Sequence, residues 1–412
     1  MERKEVVVVE AVRTPTGRSG WAGAAKGGVF SNVSAQHLLA VALRGLVDRV
    51  KEKAPTFEEA LIEDVAVGCL SQIGEQGLNV GRVGVLAAGL PDEVAGWTCN
   101  RYCNAGLQAI NSQAHALMCG AGDIAIAAGV ESMSRYGMGS DFQAALQAGM
   151  PVSIHPLAVE RYALAPMGVS AQMLADRYEL AREDMDRFAL WSHQKAVWAM
   201  REHESYRKRV IPVEVEGEDG EKVIVDTDEP PRQQALDDPD AALAKIASLP
   251  PRFRDDGTVT AATSSAIADG AAAVMLMTAE KADELGLEPM ARIVSTAVAG
   301  SEPLIMLLGP VPAMHKALER AGITMDDVDV FEPNEAFVSP VLAFCYEFGL
   351  DFDDPRINPT GGACAIGHPI GCTGALYFTE MVHWMVRNGL RYGLQTLCGG
   401  GGVGIATVVE RV

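Results

Sequence analysis

Residues 98–110 read T-C-N-R-Y-C-N-A-G-L-Q-A-I, and residues 123–128 read D-I-A-I-A-A. From Leu107 to Cys119 the chain is apolar and Ala-rich enough for a buried helix, and Asp123–Ala128 returns as a strand. A long buried helix followed at once by a short strand is the unit of layered α/β folds. The alternation continues outward. Glu5–Val9 is a strand, Ala35–Glu52 an amphipathic helix with Leu38, Leu39, Val41, Leu43 and Leu46 at its apolar positions, and Asp64–Val67 another strand. After Ala128, G-V-E-S-M-S (residues 129–134) is expected to turn tightly.

The plan recurs toward the other end. Ala271–Met277 is a strand, Val311–Ala321 a helix, Asp327–Phe331 a strand and Ala375–Asn388 a helix, with Thr396–Cys398 and Val403–Val409 as closing strands. I-E-D-V-A-V-G near Asp64 and M-D-D-V-D-V-F near Asp327 correspond, so the chain carries an internal duplication of element order rather than of residues. Between the halves, from about Ser132 to Pro251, Met, Gln, His and charged residues take over. E-V-E-G-E-D-G-E-K and D-T-D-E-P-P-R mark this as an inserted, partly helical segment with surface loops.

With 412 residues, two or three packed units are expected. The 48% apolar and 21% charged content is that of a globular protein, and a formal charge of −20 argues against generic nucleic-acid binding. No stretch approaches the roughly 20 apolar residues of a membrane span. The first apolar run stops at Glu10, too soon for a secretory signal. Without one, the eight cysteines are expected as free thiols and the protein as cytoplasmic. Cys99 with Cys103, and Cys364 with Cys372 around His368, lack a second close pair to complete a zinc set, so no metal is expected.

Four side chains carry chemistry. Cys103 stands where the buried helix is expected to begin, near Asn104, and there unpaired N–H groups and the helix dipole are expected to favour its thiolate; a buried small residue is the plain alternative. His368, in G-H-P among Gly361, Gly362, Gly367, Gly371 and Gly374, can act as a base near neutrality or sit as an ordinary turn histidine. Cys398 precedes four glycines whose bare N–H groups can form an oxyanion pocket or merely a flexible loop. Asn334, in F-E-P-N-E-A-F, follows a strand, where α/β folds place ligand groups, while Glu335 beside it is expected to pin the loop.

Together these segments resemble the thiolase family, over essentially the whole chain from A-V-R-T-P at Ala11 to the last strand. N-R-Y-C-N-A-G-L-Q-A-I is similar to the family's nucleophile segment and N-E-A-F to its asparagine segment. G-G-A-x-A-x-G-H-P-x-G-x-T-G-A is similar to the histidine segment and C-G-G-G-x-G to that of the second cysteine. T-V-T-A-A-T-S-S-A-I-A-D-G-A-A-A is similar to the segment that touches coenzyme A. The resemblance implies an α/β protein of two similar βαβαβαββ halves forming a layered αβαβα core with an inserted loop domain. Residues 1–131 would be the N-terminal half, 132–251 the insertion over the active site, 252–278 a return to the N-terminal half, and 279–412 the C-terminal half.

It also implies roles. Cys103 would be the nucleophile that accepts the acyl group and His368 its base. Cys398 would move the proton at the acetyl carbon. Asn334, through a water, and His368 would hold the enolate oxygen, and the N–H groups of Cys103 and Gly400 the oxyanion of the acyl-enzyme. Ser265 and Met167 would contact coenzyme A, which together with acyl-CoA is a substrate rather than a resident cofactor. The implied activity is degradative thiolysis of a 3-ketoacyl-CoA. Alternatives are biosynthetic condensation of two acetyl-CoA and, of another class, a non-catalytic acyl-CoA or lipid carrier. A homodimer or homotetramer, and a hydratase–dehydrogenase partner, belong to the same expectation.

The sequence departs from the family pattern at Ala262, Thr263 and Ala266, although Ser265 is kept, and Leu376 stands where an arginine is common. Pro166, where short-chain biosynthetic members often have a histidine, favours the degradative kind. A decarboxylating ketoacyl synthase would need a second histidine where this chain has Cys398.

Overall fold

The computed structural model describes residues 3–20, 27–217 and 219–412, apart from the His203 side chain. Nine main strands are β1 (Val6–Arg13), β2 (Asp64–Gly68), β3 (Ala95–Cys99), β4 (Ile124–Ser132), β5 (Ala268–Thr278), β6 (Ala291–Gly300), β7 (Val330–Pro333), β8 (Tyr392–Gly399) and β9 (Val403–Arg411). They run in the order β3-β2-β4-β5-β1 and then β6-β9-β8-β7. Among the described residues, the two runs pair with each other where Val7 and Val8 stand opposite Arg292 and Ala291. Directions repeat as well. From the outer edge inward, β3, β2 and β4 are parallel and β5 and β1 alternate. In the second run Ile357 bridges β7 in parallel, β7 and β8 are parallel, and β9 and β6 alternate. The Asp64 and Asp327 segments thus lead into equivalent strands, β2 and β7.

Period-two alternation explains the layering. In β1, Val7, Val9 and Val12 face one core with helix α1 (Ala35–Lys53), while Val6, Val8 and Ala11 face another. That second core holds α3 (Ala105–Met118) and α6 (Thr373–Asn388) between the two sheets. A third core, beneath the second sheet, buries α4 (Pro310–Ala321) and α5 (Val338–Phe348). Helix α2 (Val80–Ala87) lies beside α1, so the layers run helix, sheet, helix, sheet, helix.

Three expectations change. Gly129–Ser132 belongs to β4, not to a tight loop, because Glu131 finds partners while remaining in the strand. The strand expected at Asp327–Phe331 begins at Val330, because Thr324 and Asp327 form a capping box around a 3-10 turn at Met325–Asp327. β6 was not anticipated: its buried side is mostly Ala and Ser, which blunts the alternation.

The segment between β4 and β5 contains helices Met167–Arg177 and Arg182–Arg201 and a hairpin of Val213–Glu216 with Lys222–Val225. It is held to the core by buried charge. Arg13 of β1 pairs with Asp228 at 2.8 Å and with Glu380 of α6 at 2.7 Å, and Arg209 reaches the same Glu380 at 2.7 Å. Burial alone would raise the Glu380 pKa, but the two guanidiniums hold it at about 2.

Candidate active site

α3 and α6 lie side by side between the sheets with their N-termini together. Glycine permits the approach: a methyl on Gly106 would fall 2.8 Å from the Ala375 nitrogen, and one on Gly374 would fall 2.1 Å from the Leu107 nitrogen. Cys103 immediately precedes the N-cap of α3, Asn104, and His368 lies five residues before Thr373, where α6 begins. His368 Nε2 stands 3.3 Å from Cys103 Sγ. Its Nδ1 is 2.6 Å from the Thr373 hydroxyl, which donates to Pro369 O at 3.0 Å.

Cys398 lies near the end of β8, opposite Gly404 of β9. Burial pushes the Cys103 thiol well up, and the proximity of Cys398 adds to the shift. Burial also lifts Cys398 to about 12 and lowers His368 to about 4. Both thiols are therefore protonated and the imidazole neutral at pH 7. This corrects the expected thiolate: a helix terminus supplies about 0.3–1 kcal/mol, less than the desolvation of a fully enclosed sulfur costs.

Asn334 directly follows β7, and its N–H donates to Thr396 O at 3.0 Å, two residues before Cys398. It is buried, and neither amide atom of its side chain has a partner among the described residues. A polar group left so is ready for a ligand or a bridging water. Glu335 pins the loop: Oε1 accepts from Asn358 Nδ2 at 2.7 Å, and Oε2 accepts from Ser192, on the helix Arg182–Arg201, at 2.7 Å and from Cys364 N at 3.0 Å. Ser265 is half-buried, its N–H donating to Ala336 O at 3.0 Å, and the His368 N–H donates to the neighbouring Ala266 O at 2.8 Å. Gly400 follows β8 under the Tyr102 ring. Met167 packs on the apolar cluster that contains Phe337 and Cys398. The structure thus brings Cys103 and His368 into contact, stitches the Asn334 and Ser265 segments beside them, and leaves Met167 at the periphery.

Two residues escaped the sequence reading. Thr373 was in view within T-G-A, and a hydroxyl five residues after a histidine at a helix start was the available signal. Glu131, fully buried, accepts from Leu70 N, Ser71 N, Gly371 N and Gln76 Nε2 at 2.9–3.0 Å, tying the histidine turn to the loop after β2. A lone acid ending an apolar strand was its signal.

Two family models divide the chain between them: one described as the thiolase N-terminal domain matches residues 6–280, and one described as the thiolase C-terminal domain matches residues 287–411. The chain belongs to the thiolase family. It is 43% identical over 410 residues to a 3-ketoacyl-CoA thiolase of Pseudoalteromonas translucida, covering 98% of each chain. It is 41% identical over 419 residues to a beta-ketoadipyl-CoA thiolase of Pseudomonas aeruginosa, covering 99% of this chain and 100% of that one. The crystal structure of the Bacillus anthracis acetyl-CoA acetyltransferase matches with a TM-score of 0.84 at 34% identity, over 100% of both chains. The fold expected from the sequence is that of this thiolase, and the chain is an acyltransferase. Among its described residues, no helix is long and apolar enough to cross a membrane.

Proposed function

We propose that this thiolase cleaves 3-ketoacyl-CoA to acetyl-CoA and a shortened acyl-CoA, through an acyl group carried on Cys103. The 3.3 Å contact between Cys103 Sγ and His368 Nε2 carries the reading. With a neutral thiol beside a neutral imidazole, the proton passes to Nε2 as sulfur attacks the C3 carbonyl. The C2–C3 bond then breaks, its electron pair stays on C2 of the acetyl-CoA enolate, and Cys398 gives that carbon a proton. In the second half-reaction, the thiol of coenzyme A returns a proton to Cys398 and attacks the acyl group. The departing Cys103 sulfur recovers its proton from His368. The N–H groups of Cys103 and Gly400 would hold the oxyanion of acyl transfer, and Asn334, through a water, and His368 that of the enolate. Ser265 and Met167 would face the coenzyme A arm. Every proton and electron pair is accounted for, so coenzyme A enters as a substrate and the reaction calls for no resident cofactor or metal.

The relatives named 3-ketoacyl-CoA and beta-ketoadipyl-CoA thiolases support the degradative direction, and with it a place in fatty acid β-oxidation after a hydratase–dehydrogenase. Strand β3, at one end of the sheet order, pairs with no second strand among the described residues, which suits it to pairing with a second copy in a homodimer or homotetramer. All eight cysteines are free, as suits a reducing cytoplasm.

Mass spectrometry after incubation with acetoacetyl-CoA tests the reading. One acetyl group should appear on Cys103 and be absent from Cys103→Ser. Binding without covalent change would overturn it in favour of a carrier. A sharp kcat/KM preference for the four-carbon thioester over longer ones would move the assignment to acetoacetyl-CoA synthesis.

A further inference from the structure

We propose that Asn104 is a positioning residue that holds the Cys398 turn in register with Cys103, an inference that rests on the thiolase reading above. Asn104 is fully buried and directly follows Cys103. Oriented with its nitrogen toward the second half, its amide donates to Cys398 O at 2.8 Å and to Leu397 O at 3.2 Å. The reverse orientation would set its oxygen against two carbonyls, so the network fixes the assignment.

The position of these bonds matters. β7 pairs with β8 only as far as Thr396, so beyond that point β8 has lost one of its two neighbouring strands. Cys398 lies on this stretch, paired with β9 on one side. Asn104 reaches it across the seam between the halves. The flanking residues fit the same clasp. A methyl on Gly399 would come within 3.2 Å of the Asn104 side-chain amide, and one on Gly400 within 3.3 Å of the Tyr102 ring. Tyr102 itself takes a φ of +52°, its N–H held by Asn100 Oδ1 at 2.9 Å. The turn 102–104 thus grips the end of β8 at 397–400. Proton transfer at C2 depends on where the Cys398 sulfur stands relative to the bound acetyl group, and misplacement by about 1 Å can cost about 100-fold. Attack by Cys103 takes its nucleophile and its base, His368, from outside the clasp and draws on the clasped stretch chiefly through the Gly400 N–H, so it depends less on the clasp than proton transfer by the Cys398 sulfur does.

The test separates two rates on the purified full chain: acetylation of Cys103 by acetyl-CoA, and exchange of the acetyl-CoA C2 protons with deuterated water. In Asn104→Asp and Asn104→Ala, exchange should fall at least about 30-fold, and acetylation, whose attacking sulfur and base lie outside the clasp, by a factor at least about tenfold smaller. Asp keeps the shape of Asn but offers no donor when ionised, so it should be as damaging as Ala or more so. Tyr102→Gly, at an exposed position whose φ suits glycine, should lower exchange in the same sense with the core intact. A proportionate fall in both rates, or an Asp variant that behaves as wild type, would overturn the proposal. Wild-type protein showing neither acetylation nor exchange would overturn the thiolase reading and this inference with it.

Discussion

Thr373 decides which nitrogen of His368 faces Cys103 as a base. Its hydroxyl lies 3.0 Å from Pro369 O and 2.6 Å from His368 Nδ1, and with its proton given to Pro369 O it accepts from Nδ1. The ring proton therefore sits on Nδ1 and the lone pair on Nε2, which faces the sulfur. Thr373→Val leaves a buried N–H without an acceptor, a loss of about 1–3 kcal/mol. We expect kcat/KM to fall about 10- to 100-fold, with Thr373→Ser close to wild type in the same steady-state assay. A Val variant at full activity would show that the tautomer is set otherwise.

Gly374→Ala tests the crossing of the two inner helices. A methyl 2.1 Å from a backbone nitrogen cannot be accommodated without moving α6 off α3. Overpacking of this kind costs about 1–3 kcal/mol, visible as a lower urea midpoint. Because the same displacement draws His368 away from Cys103, acylation should suffer by more than the stability loss explains. Unchanged acylation in a destabilised variant would refute that link.

The buried imidazole sets the acid limits. His368 must be neutral to accept a proton, and burial lowers its pKa to about 4. The acid limb of kcat/KM should therefore fall near pH 4 rather than at the ~6.5 of a free imidazole. Burial likewise lowers His193 and His383 to about 4. In each case the folded value lies below the unfolded one, so the unfolded chain takes up the proton first. The stability these three groups contribute is complete above about pH 6.5 and is lost as pH falls toward 4. His383→Gln should thus lose less stability than wild type between pH 7 and pH 5, by about 2 kcal/mol in urea titrations. Equal losses would contradict the shift.

Cys398→Ser should separate the two sulfurs. Cys103 keeps its base, so acetylation by acetyl-CoA should remain detectable, whereas carbon–carbon cleavage of acetoacetyl-CoA should fall by at least about 100-fold. Normal turnover would show that another group moves the C2 proton.

Much of this was legible in the sequence, for physical reasons that differ from residue to residue. α1 was readable because its leucines repeat at helical spacing, and β2 and β7 because two D-V runs recur in equivalent places. α5 was obscured by Pro340, which breaks a helix interior but is tolerated in the first turn. β3, five residues of A-G-W-T-C at an edge, lacks β-branched alternation. At the site, the residues with reactive atoms stood out by type. Thr373, Glu131 and Asn104 work by accepting from or donating to particular backbone and ring atoms, and partners so distant in the chain are set only by the fold. The protonation of Cys103 was misjudged for the same reason: helix position can be read locally, enclosure cannot.

The sulfur of Cys103 and the nitrogen of His368 are separated by 265 positions in the chain. During synthesis the thiol leaves the ribosome long before its base exists, and a product that ends between the two carries the cysteine without the histidine. Base-assisted acylation of Cys103 therefore begins only once the chain has reached and folded around His368.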